Sequence, residues 1–175
     1  TANHEIYTLS LHDALPICSF DGTNGTIIFS GEGNLLLGST VKSLGTLSED
    51  NGTVTYDGED QTVFSDVYYS LTAGGGSGTK TLGGDVTVAG NLKLDTDVTI
   101  VMDTHLLTVT NVTDIDGTLS FDEAAITVIY TRYIHGALPI STGTVDANGA
   151  FDATGGFITF TDAGNLTLDS TVTSL

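Results

Sequence analysis

Residues 19–44 align without a gap on residues 150–175. Matched positions include Phe20 and Phe151, Asp21 and Asp152, Ile27 and Ile158, Phe29 and Phe160, and the runs Gly33-Asn34-Leu35 and Gly164-Asn165-Leu166. A Gly-Asn-Leu-x-Leu motif begins at Gly33, Gly90 and Gly164. A Gly-Thr-apolar-x-aromatic motif runs over Gly25–Phe29, Gly52–Tyr56 and Gly117–Phe121, with Gly156–Phe160 a variant. Self-similarity of this kind marks stacked repeats, in which each unit buries its apolar row only against its neighbours. The intervals between the Gly-Asn-Leu motifs are unequal, so no single repeat length follows from them.

Within each motif the apolar residues alternate. In Gly52-Thr53-Val54-Thr55-Tyr56, Val54 and Tyr56 point one way and the threonines the other, because strand side chains alternate with period two. Val86-Thr87-Val88, Leu92-Lys93-Leu94 and Leu107-Thr108-Val109 repeat the pattern. Between them lie Asn24-Gly25, Asn51-Gly52, Asp57-Gly58, Asp116-Gly117 and Asn148-Gly149, pairs that tolerate the positive φ of tight turns. No window carries a helical period. The chain is therefore expected to be all-β: a right-handed parallel β-helix, or solenoid, with a β-sandwich-like repeat as the alternative.

The charge balance excludes several partners. The chain carries 22 acidic residues against 4 Lys and Arg, a formal net charge of -18. Binding to nucleic acid needs clustered Lys and Arg, as does binding to anionic membranes. No apolar run approaches the length of a membrane span. Disorder is also disfavoured, since apolar residues reach 39% and charged ones only 15%. The single Cys18 allows no disulfide framework within the chain. The N-terminus has no signal-peptide pattern, because His12, Asp13 and Pro16 break its apolar stretch and no basic region precedes it.

Two segments differ from everything around them. Ile6-Tyr7-Thr8, His12 and Ala14-Leu15-Pro16-Ile17 recur with the same spacing as Ile129-Tyr130-Thr131, His135 and Ala137-Leu138-Pro139-Ile140. Both prolines, the only arginine (Arg132) and three of the four histidines fall within these two segments. The first resembles the conceptual translation of a short-read sequencing adapter. One adapter frame encodes Glu5 through Ile17 without a mismatch and Thr1-Ala2 directly; Asn3 and His4 follow after one base change each. The second copy fits after single base changes at Arg132, Tyr133, Ile134 and Gly136. The expected organisation is thus residues 1–17 adapter-derived, 18–123 a β-strand-repeat segment, 124–140 adapter-derived, and 141–175 a second partial repeat. On that reading the chain is an assembly chimera and its two repeat segments have no assured order.

Gly52-Thr-Val-Thr-Tyr-Asp-Gly58, Gln61-Thr62-Val63, Tyr68-Tyr69-Ser70-Leu71 and Gly78-Thr-Lys-Thr-Leu-Gly-Gly-Asp-Val-Thr-Val88 resemble bacterial secreted β-strand-repeat surface proteins, adhesin-like or autotransporter-like. The resemblance is strongest over residues 45–121 and reaches 19–44 and 150–175 through the internal repeat. It implies a parallel β-helix, an extracellular location at a bacterial cell surface, and a non-catalytic structural or adhesive role. Glycans or a host or neighbouring cell surface are the partners it implies; nucleic acid and membrane insertion are not expected.

No residue is expected to be catalytic, cofactor-binding or metal-binding. His105 is the only histidine outside the adapter-like segments, and Cys18 has no native histidine nearby in sequence to activate it. A glycan-active β-helix enzyme is the main alternative. It would need two convergent carboxylates, or a base with cations for an acidic sugar. Its candidate acids are Asp85, Asp95, Asp97, Asp103, Asp114 and Asp116, and its only bases are Lys42, Lys80 and Lys93. A calcium-stabilised repeat is the other alternative. Asp95-Thr-Asp97 and Asp114-Ile-Asp116 offer alternate carboxylates, but no EF-hand loop follows, so weak Ca2+ association is the most expected. Gly74–Gly78 lacks the Lys-Ser/Thr pair of a phosphate loop and is expected to be a flexible connection. Phe29, Tyr56, Tyr68, Tyr69, Phe121 and Phe160 are expected to pack mainly in the core, with sugar stacking as their alternative use.

Overall fold

The computed structural model describes residues 6–9, 17–29, 31–48, 51–120, 127–134, 137–140, 144–147, 151–160, 165–168 and 171–175. Its side chains are described within 19–29, 31–48, 51–120, 153–160, 165–168 and 171–175. Among the described residues there is no helix, and the strands join into three parallel sheets. The architecture is a parallel β-helix, as the alternating motifs lead one to expect.

Three ladders run along most of the solenoid. The first passes through Leu35, Val54, Leu71, Leu92, Thr113, Arg132, Phe151 and Val172. The second passes through Gln61, Lys80, Ile100 and Leu119, and its outer strands continue to Ala137–Ile140 and Phe157–Phe160. The third passes through Val86, Leu107, Thr127, Val145 and Leu166, with Val67–Tyr68 paired ahead of Val86–Val88. One coil visits the three in turn: Val86–Val88, Leu92–Leu94, then Val98–Val101. Strand Leu107–Ile115 then serves the third ladder with its first half and the first ladder with its second. A separate short sheet of Ile6–Leu9, Thr26–Phe29 and Thr46–Leu47 stands at the N-terminal end.

Register fixes the coil length that the motifs left open. Partners along the first ladder are 19, 17 and 21 residues apart from Leu35 to Val54 to Leu71 to Leu92. Gly33-Asn34-Leu35 and Gly90-Asn91-Leu92 therefore stack on one ladder, three coils apart. Gly164-Asn165-Leu166 does not join them. Leu166 lies on the third ladder through Val145. The gapless match of residues 19–44 on 150–175 is thus a match of strand-and-turn units that occupy different faces.

The alternating residues point as expected. Val86 and Val88, Leu92 and Leu94, and Leu107 and Val109 are buried, while Thr87, Lys93 and Thr108 are not. They belong to one continuous apolar core that runs from Ile27 to Leu119 and includes Ala153. Burying a Val or Leu side chain stabilises by about 1.5–3 kcal/mol, so the column of inward residues holds each coil on the next. Close packing also explains the glycine that opens Gly52-Thr-Val-Thr-Tyr. A Cβ at Gly52 would lie 2.1 Å from the ring of Phe29, which covers that position.

The strands Ile6–Leu9, Ile17–Asp21, Thr127–Ile134 and Ala137–Ile140 fall wholly or partly within the adapter-like segments and pair in the sheets. Their side chains, apart from Ser19, Phe20 and Asp21, lie outside the described residues, as do His4, His12 and His135.

Candidate functional site

The outer face of the second ladder presents a regular surface. Its strands Gln61–Val63, Gly78–Leu82, Val98–Val101 and Thr118–Ser120 carry one charge between them, that of Lys80. Lys80 points inward and is fully buried. The outward positions are Thr62, Thr79, Thr81, Thr99, Val101, Thr118 and Ser120. Thr62 pairs with Thr81, Thr79 with Thr99, and Thr99 with Thr118, so hydroxyls and methyls recur from coil to coil. Adjacent parallel strands lie about 4.8 Å apart, which sets the repeat of this array.

Two open depressions flank it. One, of about 400 Å³, is lined by Asp60, Gln61, Thr62, Thr79 and Thr81. The other, of about 500 Å³, is lined by Gly38, Ser39, Thr40, Glu59, Asp60 and Gln61. Glu59 and Asp60 are exposed, and Asp60 accepts the Thr79 N–H at 2.8 Å. This carboxylate therefore serves the turn.

Beneath the depressions, two inward polar side chains hold the turn at Gly58. Gln61 accepts the Gly58 N–H on Oε1 at 2.8 Å, and its Nε2 donates to Leu37 O at 2.8 Å and Ser39 O at 2.7 Å. One coil further along, the Lys80 ammonium donates to Gly58 O and, at 2.5 Å, to Glu59 O. Burial pushes the Lys80 amine below its ordinary range, with Asp60 and Asp57 opposing. Two of its three donors are committed to backbone carbonyls of the preceding coil, which is a structural duty.

The remaining candidates are dispersed. Lys93 bonds Asp95 at 2.5 Å. That bond is the main cause of its raised pKa, with the charges of Asp95, Asp114 and Asp116 adding to it and burial opposing. Three of the four acids considered for calcium, Asp95, Asp114 and Asp116, thus already lie near an ammonium of the chain itself. Among the described residues no group of three His, Cys, Asp or Glu side chains is placed to hold a metal ion. Asp97 and Asp103 adopt positive φ, 65° and 53°, in turns. Asp85 accepts the Leu106 N–H at 2.9 Å. On the N-terminal coils the Lys42 ammonium, 2.7 Å away, and the Thr23 donors hold the Asp21 carboxyl down to about 2.

His105 is half-buried in the turn before Leu107–Ile115, its N–H bonded to Met102 O at 3.0 Å. Cys18 lies in strand Ile17–Asp21, with its side chain outside the described residues. The Gly74–Gly78 connection runs between strands, with Gly74 buried and Gly75, Gly76 and Ser77 exposed. Gly74 N–H bonds Tyr56 O at 2.9 Å, and a Cβ at Gly75 would lie 1.9 Å from Asp57 O. Its glycines allow one coil to close on the last. Of the aromatics, Phe29, Tyr56 and Tyr68 are core residues, whereas Tyr69 is 38% and Phe160 51% exposed; Phe121 lies outside the described residues.

The inward Gln61 and Lys80 were not legible as inward from their type. Their alternation with Val63 and Leu82 was the available signal. No protein-family model, no curated protein and no solved structure matches this chain.

Proposed function

We propose that the chain is a non-catalytic structural or adhesive segment of an extracellular bacterial surface protein. The observation that supports this reading is the charge-free array on the second ladder, on a chain of net charge -18. A rigid plane of hydroxyls and methyls suits a neutral, hydroxyl-rich surface such as a glycan, and the acidic remainder repels anionic ones. Stacked coils supply reach at about 4.8 Å each. Residues 1–17 and about 124–140 belong, on this proposal, to adapter-derived sequence and carry no part of the function.

Retention of the chain on insoluble neutral polysaccharide tests the adhesive part. Thr81→Lys and Thr99→Asp place charge on the array and are expected to abolish retention while the fold persists. Equal retention of both variants would move adhesion off this face; no retention of any chain would leave a stalk.

Glu59 and Asp60 in one depression favour a glycan-processing alternative. Both are exposed and line the same open depression. Glycan hydrolysis lost on Glu59→Gln and Asp60→Asn would establish that alternative.

A further inference from the structure

Three Asn-Gly pairs punctuate the chain. A glycine after asparagine leaves its peptide nitrogen open to attack on the neighbouring side chain, because no Cβ shields it. Asn148-Gly149 lies outside the described residues. The other two share the residue that follows, as Asn24-Gly25-Thr26 and Asn51-Gly52-Thr53, so their local chemistry is matched. Both asparagines are exposed and both glycines are buried. They differ in what holds the glycine N–H. Asn24 sits in a turn at φ 64°, and the Gly25 N–H donates to Gly22 O at 2.8 Å. Asn51 sits in a bend, and the Gly52 N–H has no hydrogen-bond acceptor among the described residues. Asn34, Asn91 and Asn111 precede Leu35, Leu92 and Val112, whose side chains crowd the same approach.

We propose that the fold directs spontaneous modification to Asn51 and shields Asn24. The Gly52 nitrogen attacks Asn51 Cγ, the Cγ–Nδ2 bond breaks, and ammonia leaves with the Gly52 proton, closing a succinimide. Water then opens the ring. Cleavage of the new Cγ–N bond gives aspartate on the original backbone. Cleavage at the Asn51 backbone carbonyl gives isoaspartate, whose main chain runs through Cβ and Cγ. The position gives that second product a structural consequence. Gly52 O accepts the Ser70 N–H at 3.2 Å, and the Thr53 N–H donates to Gly33 O at 2.8 Å. Asn51 thus stands where its coil enters the first ladder, just ahead of Thr53 with its partners Asn34 and Ser70. A Cβ at Gly52 would lie 2.1 Å from the Phe29 ring, so a carbon inserted into the adjoining main chain finds no slack there.

Peptide mapping by mass spectrometry of the folded full chain, aged in mildly alkaline buffer made with heavy-oxygen water, tests this. The oxygen label marks conversions that took place during ageing. Opening the Gly25 turn bond before reaction slows Asn24, so aspartate and isoaspartate are expected at Asn51 about tenfold faster than at Asn24. In urea the two rates are expected to converge, because the flanking residues match. Aged wild type should unfold at a lower urea concentration than fresh, whereas Asn51→Gln, with one methylene too many for ready ring closure, should keep its midpoint. Equal rates in the folded chain, faster conversion at Asn24, or none at Asn51 overturns the proposal. So does a ratio that persists in urea, since sequence and not fold would then set it. An unchanged midpoint in converted wild type overturns the structural consequence.

Discussion

The phenol oxygens of Tyr56 and Tyr68 lie 3.1 Å apart inside the solenoid and close a ring of hydrogen bonds through the backbone of Phe64. The Phe64 N–H donates to Tyr56 Oη at 3.2 Å, and Tyr68 Oη donates to Phe64 O at 2.8 Å. Since Tyr68 spends its one proton on Phe64, Tyr56 is the donor between the phenols. Two core aromatics from successive ladders thus satisfy both polar groups of one peptide residue at a corner.

Removing either hydroxyl should cost more than one hydrogen bond, because a buried partner is left unpaired. Tyr68→Phe and Tyr56→Phe are each expected to lower unfolding free energy by about 1–3 kcal/mol. A double-mutant cycle in urea should show coupling of about 0.5–3 kcal/mol, and additive losses would break the ring. Burial pushes Tyr56 up to about 12 and Tyr68 up further from the ordinary 10.0. The folded state holds these protons longer than the unfolded chain. The stabilisation is therefore full below pH 10 and is lost as pH rises toward 12 and beyond. Urea midpoints that stay level over that window would contradict it.

The Gly58 peptide is gripped from both sides, its N–H by Gln61 and its C=O by Lys80. Gln61→Leu removes the partner of the Gly58 N–H and the Gln61 donors to Ser39 O and Leu37 O, although Leu37 O keeps the Asp57 N–H, and should destabilise by about 1–3 kcal/mol. Lys80→Met removes a costly buried cation but strands two carbonyls, so a smaller loss of about 1–2 kcal/mol is expected. Denaturant titration of both singles and the double variant checks the ranking and their coupling.

Thr113 is fully buried at an inward position of the first ladder, and its Oγ1 has no hydrogen-bond partner among the described residues. Thr113→Val replaces the hydroxyl with a methyl of similar size. An increase in stability of about 1–2 kcal/mol is expected, read as a higher urea midpoint at unchanged slope. A lower midpoint would show that the hydroxyl is satisfied in solution.

Calcium should act no more strongly than magnesium. Lys93 already pairs with Asp95 and offsets part of the negative charge of Asp95, Asp114 and Asp116. Melting temperatures with each ion are expected to shift alike. A large rise with Ca2+ alone would instead establish a calcium-stabilised repeat.

Resequencing the source locus from amplified DNA, with no library adapters, is expected to remove codons 1–17 and about 124–140. If both segments persist in genomic DNA, the Ala-Leu-Pro-Ile runs are a true repeat, and His12, Arg132 and His135 return as candidate functional residues.

The sequence by itself determined the strand-and-turn motifs and the facing of their alternating apolar residues. These follow from local chemistry: alternation of period two, β-branched residues, and Gly, Asn and Asp at turns, as Val86-Thr87-Val88 and Asn24, with φ 64°, illustrate. The absence of a convergent acid-base site was read from residue types alone and stands as part of the proposal. Only the tertiary structure decided which strands stack. Coil spacing varies from 17 to 21 residues along the first ladder, because each corner absorbs a different number of residues. Small differences accumulate, so Leu35 and Leu92 share a ladder while Leu166, in the same motif, sits on another. The burial of Lys80 and Gln61 is likewise non-local. Their partners lie 21 to 24 residues earlier on the preceding coil, save for Gly58 beside Gln61, and only stacking brings those carbonyls within reach.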